Sequence, residues 1–298
     1  MGRSRELAWK VRRGQHRHRL RRLVASLDHP ILMTGLPGNI GDHLIWAGID
    51  AALGDLFVER IPLAAVEGAR GQTLVVPGSG AWSAHYHEWL PALVASAASR
   101  FDTVLILPSS FDVRVPAVHQ ALSLANVVPM ARERVSMAAV SGFRSCTLGP
   151  DCSVYAPLGS RPDPARPVPN GELLCLRTDS ESALPRELYE ISSGNNDISA
   201  TAPDLGAWLQ AIRASAGVIT DRAHVMLAGT LLGKRVRYLE GAYWKVCALA
   251  DYTFGSAFAQ RLRPTTLDEL TRERRITGRS ESGVPDRSPA ADAARGAL

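Results

Sequence analysis

Apolar runs of strand length alternate with segments of helical periodicity along most of the chain. Ile31–Thr34, Leu74–Val76 and Thr103–Leu107 are such runs, and a helical pattern follows each of them. A second series of the same kind begins at Glu172. Strands that alternate with helices are typical of parallel sheets, so the pattern predicts an α/β protein with two doubly wound halves. The other predicted strands are 172–176, 218–219 and 236–239, and the predicted helices are 42–53, 87–98, 115–124, 135–141, 202–215, 225–232 and 244–250. Met130-Ala131 is predicted to begin a turn.

Proline recurs in the middle of the chain and sets the predicted domain boundary. Because proline disrupts both helices and sheets, residues 158–171 are predicted to be a linker. It separates an N-terminal doubly wound domain at 29–157 from a C-terminal one at 172–278. A basic arm at 1–28 precedes them, and a tail at 279–298, poor in large apolar residues, is predicted to be disordered.

The positive charge of the chain is concentrated at its start. Residues 1–22 carry nine positive side chains and one negative one, a net of +8, whereas the whole chain has +5 and the remainder therefore −3. That remainder has no electrostatic footprint for a phosphate backbone, so no nucleic-acid partner is predicted. The arm itself has two interpretations. In the first interpretation it lies on anionic lipid headgroups as an amphipathic helix, and in the second it is a solvated arm.

The cysteines and the hydropathy pattern indicate the compartment. Cys146, Cys152, Cys175 and Cys247 form no Cys-x-x-Cys pair, and no apolar leader precedes the fold. No apolar run has the roughly eighteen residues that a membrane-spanning helix needs. The chain is therefore predicted to be cytoplasmic, with peripheral contact at the inner face of the membrane through residues 1–22 as a further expectation.

Two histidines beside a glutamate raise the question of a metal site. Histidines two residues apart share a face only on a strand, and His85 and His87 begin a predicted helix, so no metal is predicted. Nearby aromatic residues are interpreted as a packing cluster, with a sugar-stacking surface as the alternative: Trp82, Tyr86 and Trp89.

A fixed cation and an imidazole lie two residues apart after a strand-like run. Arg222 and His224 follow Ala216–Ile219 and precede a predicted helix. Ligands of open α/β sheets collect at the carboxyl ends of strands. This pair is therefore placed where it can hold an anionic substrate and move a proton.

Other polar turns follow predicted strands. Arg177 and Asp179 come directly after the strand at 172–176. The turn at 35–42 lacks the Gly-x-Gly-x-x-Gly fingerprint, so a nicotinamide cofactor is not predicted, and Asp42 is interpreted as a helix N-cap. Arg132 with Glu133 is interpreted as a surface ion pair.

Seven polar segments lie in a fixed order between about Ile31 and Asp251. They are Asn39-Ile40-Gly41-Asp42, Val76-Pro77-Gly78-Ser79-Gly80, Ala131-Arg132-Glu133 with Ser136, Pro150-Asp151, Leu176-Arg177-Thr178-Asp179, Thr220-Asp221-Arg222-Ala223-His224 and Tyr243-Trp244-Lys245-Val246. In this order they resemble the polysaccharide pyruvyl transferase family. The resemblance implies two Rossmann-like domains that face a cleft, as in GT-B glycosyltransferases. It also implies transfer of the pyruvyl group of phosphoenolpyruvate, as a ketal, to a sugar of a cell-surface polysaccharide or its precursor, with release of phosphate.

The resemblance, with the chemistry of the side chains, gives candidate roles. Arginine binds carboxylate and phosphate with two parallel hydrogen bonds, so Arg177 and Arg222, with Lys245 as a point charge, are predicted to bind phosphoenolpyruvate on the C-terminal, donor side. His224 is predicted to deliver the proton to the donor, and Asp42 or Asp151 to accept the hydroxyl proton. The predicted residues that bind the acceptor, a nucleotide-linked or lipid-linked sugar, are Asn39, Gly41, Ser79 and Asp179. No cofactor is predicted besides the donor substrate.

Two alternatives remain at this point. A GT-B-like glycosyltransferase would use a nucleotide sugar, and no carboxylate is clearly placed for a ribose. A non-catalytic component of a polysaccharide assembly complex would have no use for Arg177, Arg222 and His224.

Overall fold

The structure, a computed structural model, describes residues 2–56, 58–159, 170–182 and 194–273. The described residues up to Pro264 form one compact unit, and a second unit begins at Thr265 and is helical over residues 267–273. Most of the predicted linker at 158–171 and the whole predicted tail at 279–298 lie outside the described residues. The division into two domains therefore stays a prediction.

The first half of the compact unit is built on a sheet of six parallel strands. Their order is β2-β1-β3-β4-β5-β6. β2 lies on one side of β1 and β3 to β6 lie on the other, so the strand order reverses at β1. The strands are β1 (Ile31–Thr34), β2 (Glu59–Ile61), β3 (Gly71–Val76), β4 (Phe101–Ser109), β5 (Val127–Ala131) and β6 (Thr147–Leu148). The helices are α1 (Gly2–Ala25), α2 (His43–Leu53), α3 (Trp89–Ala98), α4 (Pro116–Ser123) and α5 (Arg134–Ser141).

The second half has a smaller sheet, also parallel. Its described strands have the order β10-β9-β8-β7. They are β7 (Asn170–Cys175), β8 (Ser215–Thr220), β9 (Arg235–Tyr238) and β10 (Leu262–Pro264), and the helices are α6 (Ile198–Thr201), α7 (Leu205–Ala214), α8 (Ala223–Leu231) and α9 (Lys245–Phe254). The predicted α/β class with parallel sheets is confirmed. β7 begins inside the segment that was predicted to be linker.

The strands form where the apolar runs are unbroken, because both faces of each central strand are covered. Val104 to Leu107 of β4 and Leu74 to Val76 of β3 are fully buried. A close backbone contact fixes α2 against the short helix Cys152–Tyr155. A Cβ atom at Gly48 would lie 1.8 Å from the carbonyl oxygen of Cys152, so only glycine permits this approach.

The basic arm is a helix that packs within the compact unit. Trp9, Leu20 and Val24 of α1 are buried, and Trp9 Nε1 donates to the carbonyl of Thr253 at 2.7 Å. Trp9 and Leu20 belong to the helix that was predicted to be amphipathic, and their burial leaves them unavailable to lipid. Within the described residues, no helix has the combined length and apolarity to cross a bilayer.

Two local predictions were wrong, and three short strands were missed. Met130-Ala131 belongs to β5, where Pro129 interrupts the apolar run and the pairing with β4 shifts register nearby. His87 and Glu88 do not begin α3, because their φ values of 51° and 56° are left-handed. The short strands β2, β6 and β10 were not predicted.

Candidate active site

A pocket of about 340 Å³ lies where strand ends of both sheets meet. Its wall includes the segments that follow β1 and β3, which flank the point where the strand order reverses, and those that follow β7 and β8. Carboxyl ends of parallel strands at such a reversal are the usual ligand-binding position in open α/β sheets. The volume is in the range of small-molecule sites.

His224, in the first turn of α8, lies between two aspartates of the first half. Its Nδ1 is 3.2 Å from Asp42 Oδ1, and its Nε2 is 3.8 Å from Asp151 Oδ2. The first distance is that of a long hydrogen bond, and the second is that of an ion-pair contact. Within the described residues, Nε2 is buried without a hydrogen-bond partner. The ring is therefore held at one nitrogen, while the other has an unused hydrogen-bonding position.

The turn after β1 fixes Asp42. Its Oδ2 accepts a hydrogen bond from the N–H of Asn39, and the Asn39 side chain accepts one from the N–H of Gly41, both at 2.9 Å. This reciprocal pattern is a capping box on the short helix Ile40–Asp42. Asp42 occupies the predicted N-cap position of α2, but its side chain makes no cap hydrogen bond there, and Asn39 caps the short helix Ile40–Asp42. One carboxylate oxygen of Asp42 thus holds the turn and the other meets His224.

Charges within this group reinforce one another. Burial acts to lower the pKa of His224, but its interactions with Asp151 and Asp42 outweigh burial and raise that pKa. Burial acts to raise the pKa values of Asp42 and Asp151, but their contacts with His224 bring both values below the ordinary range. At Asp151 the charge of Arg132 acts in the same direction. The site therefore favours an imidazolium between two carboxylates.

Arg132 and Asp151 form a buried ion pair behind His224. Arg132 Nη1 donates to Asp151 Oδ2 at 2.7 Å, and its Nε donates to Ser110 Oγ at 2.9 Å. Both charged side chains are 1% exposed. The interpretation of Arg132 and Glu133 as a surface ion pair is wrong, because Glu133 is also buried and caps α5 by accepting from the N–H of Ser136.

Two guanidinium groups of the second half share one carboxylate. Arg177 donates from Nε and Nη2 to the two carboxylate oxygens of Asp179, at 2.8 and 2.9 Å. Arg222 Nη1 is 2.9 Å from Asp179 Oδ2. A further carboxylate contacts each arginine: Glu181 meets Arg177 Nη1, and Asp197 accepts from Arg222 Nε at 2.9 Å. Asp179 therefore lies with the predicted donor-binding residues and not with Asn39, Gly41 and Ser79.

Lys245, at the start of α9, is a third cation of the pocket. Its Nζ donates to both carboxylate oxygens of Glu181, at 2.8 and 2.7 Å, and lies 4.9 Å from the centre of the Tyr243 ring. Burial lowers the pKa of Lys245 to about 8. A Cβ at Gly80 would lie 3.4 Å from this Nζ and 3.1 Å from Arg132 Nη2, so glycine leaves room for both cations.

Most of the predicted site residues line this pocket. They are Asn39, Asp42, Ser79, Arg177, Asp179, Arg222, His224 and Lys245. The other two, Gly41 and Asp151, are buried next to His224. Sequence reasoning assigned no site role to four residues that line the pocket or hold its cations: Arg132, Glu181, Asp197 and Ser199.

The aromatic cluster divides between its two interpretations. Trp82 is fully buried and packs edge-on against Phe111 at 5.3 Å, whereas Tyr86 and Trp89 line the pocket. His85 stacks on Tyr243, with ring centres 5.6 Å apart. Within the described residues, no three His, Cys, Asp or Glu side chains are grouped to hold a metal ion.

The two parallel sheets place the protein in the α/β class, and the pocket of paired cations and carboxylates at their strand ends is a candidate site for an anionic substrate. A profile of the polysaccharide pyruvyl transferase family matches residues 39–242, more than half of the chain, and the chain belongs to that family. It is therefore a transferase, and the family implies pyruvyl transfer to a saccharide acceptor in polysaccharide biosynthesis.

Comparison with solved structures supports the fold. The crystal structure of a functionally uncharacterised protein from Klebsiella pneumoniae subsp. pneumoniae NTUH-K2044 is similar, with a TM-score of 0.64 and 20% identity over 80% of this chain and 93% of that chain. At this identity the likeness shows the shared fold alone. No curated protein matches the chain.

Proposed function

We propose that the protein transfers the pyruvyl group of phosphoenolpyruvate to two hydroxyls of a sugar, in a cell-surface polysaccharide or its precursor, as a cyclic ketal. The observation that carries this proposal is the placement of His224, between two carboxylates, in the same pocket as Arg177 and Arg222. Family membership supplies the reaction class, and the pocket supplies groups suited to each of its steps.

The donor is a small anion with a carboxylate and a phosphate close together. Arg177, Arg222 and Lys245 border one side of the pocket, and three cations match its charge. The N-terminus of α8, where Arg222 and His224 lie, adds a favourable dipole for an anion. These residues form the donor site of the proposal, which uses no cofactor.

The chemistry requires one proton to be delivered and two to be removed. His224 protonates the methylene carbon of the donor, so that positive character develops at the carbon that bears the phosphate. One sugar hydroxyl attacks this carbon and passes its proton to Asp42, which returns it to His224. The second hydroxyl then displaces the phosphate group, which leaves with that hydroxyl's proton. Asp42 suits this exchange because it borders the pocket and contacts His224 Nδ1.

Asp151 and Arg132 act on the reaction through His224. Asp151 contacts Nε2 of the ring and is itself held by Arg132 and by the N–H of Ser153. We therefore assign Asp151 as a positioning residue that favours the protonated ring, and Asp42 as the base. This separates the two aspartates, which the sequence left as alternatives.

The acceptor sugar is proposed to enter from the side of the first sheet, in a cleft of the GT-B kind. Asn39, Gly41 and Ser79 lie in or directly behind that wall, and Tyr86 and Trp89 supply aromatic surface for a sugar ring. The acceptor is nucleotide-linked or lipid-linked.

The outer face of α1 is proposed to contact an anionic membrane surface at which a lipid-linked acceptor would be presented. Leu7 and Val11 are 63% and 55% exposed, and exposed cations flank them: Lys10, Arg12, Arg19 and Arg22. Co-sedimentation with phosphatidylglycerol vesicles tests this contact. The double variant Arg19→Gln/Arg22→Gln should bind less than the wild type, and the control Arg100→Gln/Arg114→Gln should bind as the wild type does. An equal loss of binding in both variants, or no binding by the wild type, would count against the membrane contact.

An assay with phosphoenolpyruvate and a panel of sugar acceptors tests the function. Phosphate release that depends on one acceptor, with a mass gain of one pyruvyl ketal on that sugar, is the expected result. UDP-sugars in the same panel test the glycosyltransferase alternative, and sugar transfer from them without phosphate release from phosphoenolpyruvate would overturn the proposal.

A further inference from the structure

The two donor-site arginines are neutralised by carboxylates of unequal exposure. Glu181, which contacts Arg177, and Asp197, which contacts Arg222, are each 3% exposed, whereas Asp179 is 43% exposed. Asp179 also differs in place, because it lines the pocket. The shared carboxylate is thus the one that a ligand in the pocket can reach.

Asp179 occupies the hydrogen-bonding positions that an anionic ligand would use. It takes Nε and Nη2 of Arg177, the edge that binds a carboxylate or phosphate with two bonds. Its Oδ2 also lies 2.9 Å from Nη1 of Arg222, an ion-pair contact at an atom that makes no hydrogen bond within the described residues. Burial acts to raise the pKa of Asp179, but Arg177 and Arg222 bring it to about 2, so this carboxylate is charged at every working pH.

The charges of this cluster sum to zero while Asp179 is in place. Arg177, Arg222 and Lys245 face the three carboxylates of Asp179, Glu181 and Asp197. A trianion that entered beside all three carboxylates would meet no net attraction. Binding therefore requires that one carboxylate withdraw, and the partly exposed one can do so by rotation of its side chain.

We propose that Asp179 is an internal competitor of the donor: it holds the two guanidinium groups together in the empty site and leaves them when an anion binds. The identity of that anion as phosphoenolpyruvate rests on the proposed function, whereas the competition applies to any anion of this shape. Because only the fraction of molecules with Asp179 displaced can bind, the competitor weakens the apparent affinity and so also favours release of product phosphate.

Removal of the competitor should tighten anion binding, which a purely structural role would not do. Asp179→Asn keeps the size of the side chain and removes its charge. Isothermal titration should show about 10-fold tighter binding of both phosphoenolpyruvate and inorganic phosphate than in the wild type. Asp55→Asn is the control, because Asp55 also accepts two hydrogen bonds from one arginine, from Nη1 and Nη2 of Arg21 (2.5 and 2.6 Å) on α1, outside the pocket. It should leave both affinities unchanged.

The outcomes separate this inference from the proposed function. Equal or weaker anion binding by Asp179→Asn, while the wild type binds, overturns the competitor. Tighter binding without ketal formation on any acceptor keeps the competitor and removes the function. Absence of phosphate and phosphoenolpyruvate binding in both proteins removes both. If Asp179→Asn does not fold, Asp179→Ser is titrated in its place, and its melting temperature should rise more with added phosphate than that of the wild type.

Discussion

The arginines contributed by the two halves of the molecule differ in the exposure of the side chains that they contact. Arg132, after β5, borders the pocket, but its partners Asp151 and Ser110 are fully buried. Arg177 and Arg222, after β7 and β8, are themselves buried, yet they share the partly exposed Asp179. A guanidinium group whose partners are all buried cannot exchange them for a substrate. The exposure of the partner, more than that of the arginine, indicates which arginines bind ligand.

The same comparison separates the aspartates around His224. Asp42 borders the pocket, whereas Asp151 is 1% exposed and paired with Arg132. A base must reach the proton that it takes, and a positioning group need only reach the base. The first half thus supplies both a reactive carboxylate and a fixed one, and His224 of the second half joins them.

The largest expected effect tests whether His224 is the proton-transfer group that links the halves. His224→Ala should lower kcat by about 10²- to 10⁴-fold, because a positioned acid or base contributes about that much. Steady-state phosphate release with saturating phosphoenolpyruvate measures it, and the donor Kd should change little. His43→Gln is the control, since His43 is an exposed residue next to Asp42. A variant with unaltered kcat would remove His224 from the mechanism.

The same Arg→Lys substitution should affect donor binding in the second half and folding stability in the first. Arg177→Lys loses the two-bond contact with an anion and should raise the KM for phosphoenolpyruvate about 10-fold or more. Arg132→Lys should instead lower the free energy of unfolding by about 1–3 kcal/mol, because buried Asp151 and Ser110 lose a partner. Denaturant titration and donor saturation curves measure the two effects. If Arg132→Lys changed KM more than stability, the division between scaffold and binding arginines would be wrong.

The sequence predicted the sheets because buried parallel strands are continuous apolar runs. β3, β4 and β8 were found for this reason. The strands β2 and β10, of three residues each, and β6, of two, carry too few residues for a pattern. Their position depends on pairing with a neighbour, which is a tertiary property.

The candidate site was predicted where a polar residue directly follows a strand. Arg177, Arg222 and His224 were found in this way. Their partners were not, because pairing joins distant parts of the chain: Lys245 meets Glu181 across 64 residues, and Arg222 meets Asp197 across 25. Burial of Arg132 was also missed, since an Arg-Glu dipeptide gives no sign that each member pairs elsewhere.

Asp221 gives the smallest and most specific test. It is a buried carboxylate that contacts a site arginine of the second half, as Asp151 contacts Arg132 in the first half. Asp221 accepts a hydrogen bond from the N–H of Arg177 at 2.8 Å, and burial raises its pKa to about 6, whereas Arg132 and His224 keep the pKa of Asp151 low. A raised folded pKa stabilises the fold at low pH, and that stability is lost as the pH rises through about 6. Asp221→Asn, neutral throughout, should therefore be more stable than the wild type by about 3 kcal/mol at pH 8 and equal to it near pH 4. Urea titration across this range measures the difference, with the exposed Asp102→Asn as control. An advantage that did not vary with pH would mean that packing, and not charge burial, distinguishes the two carboxylates.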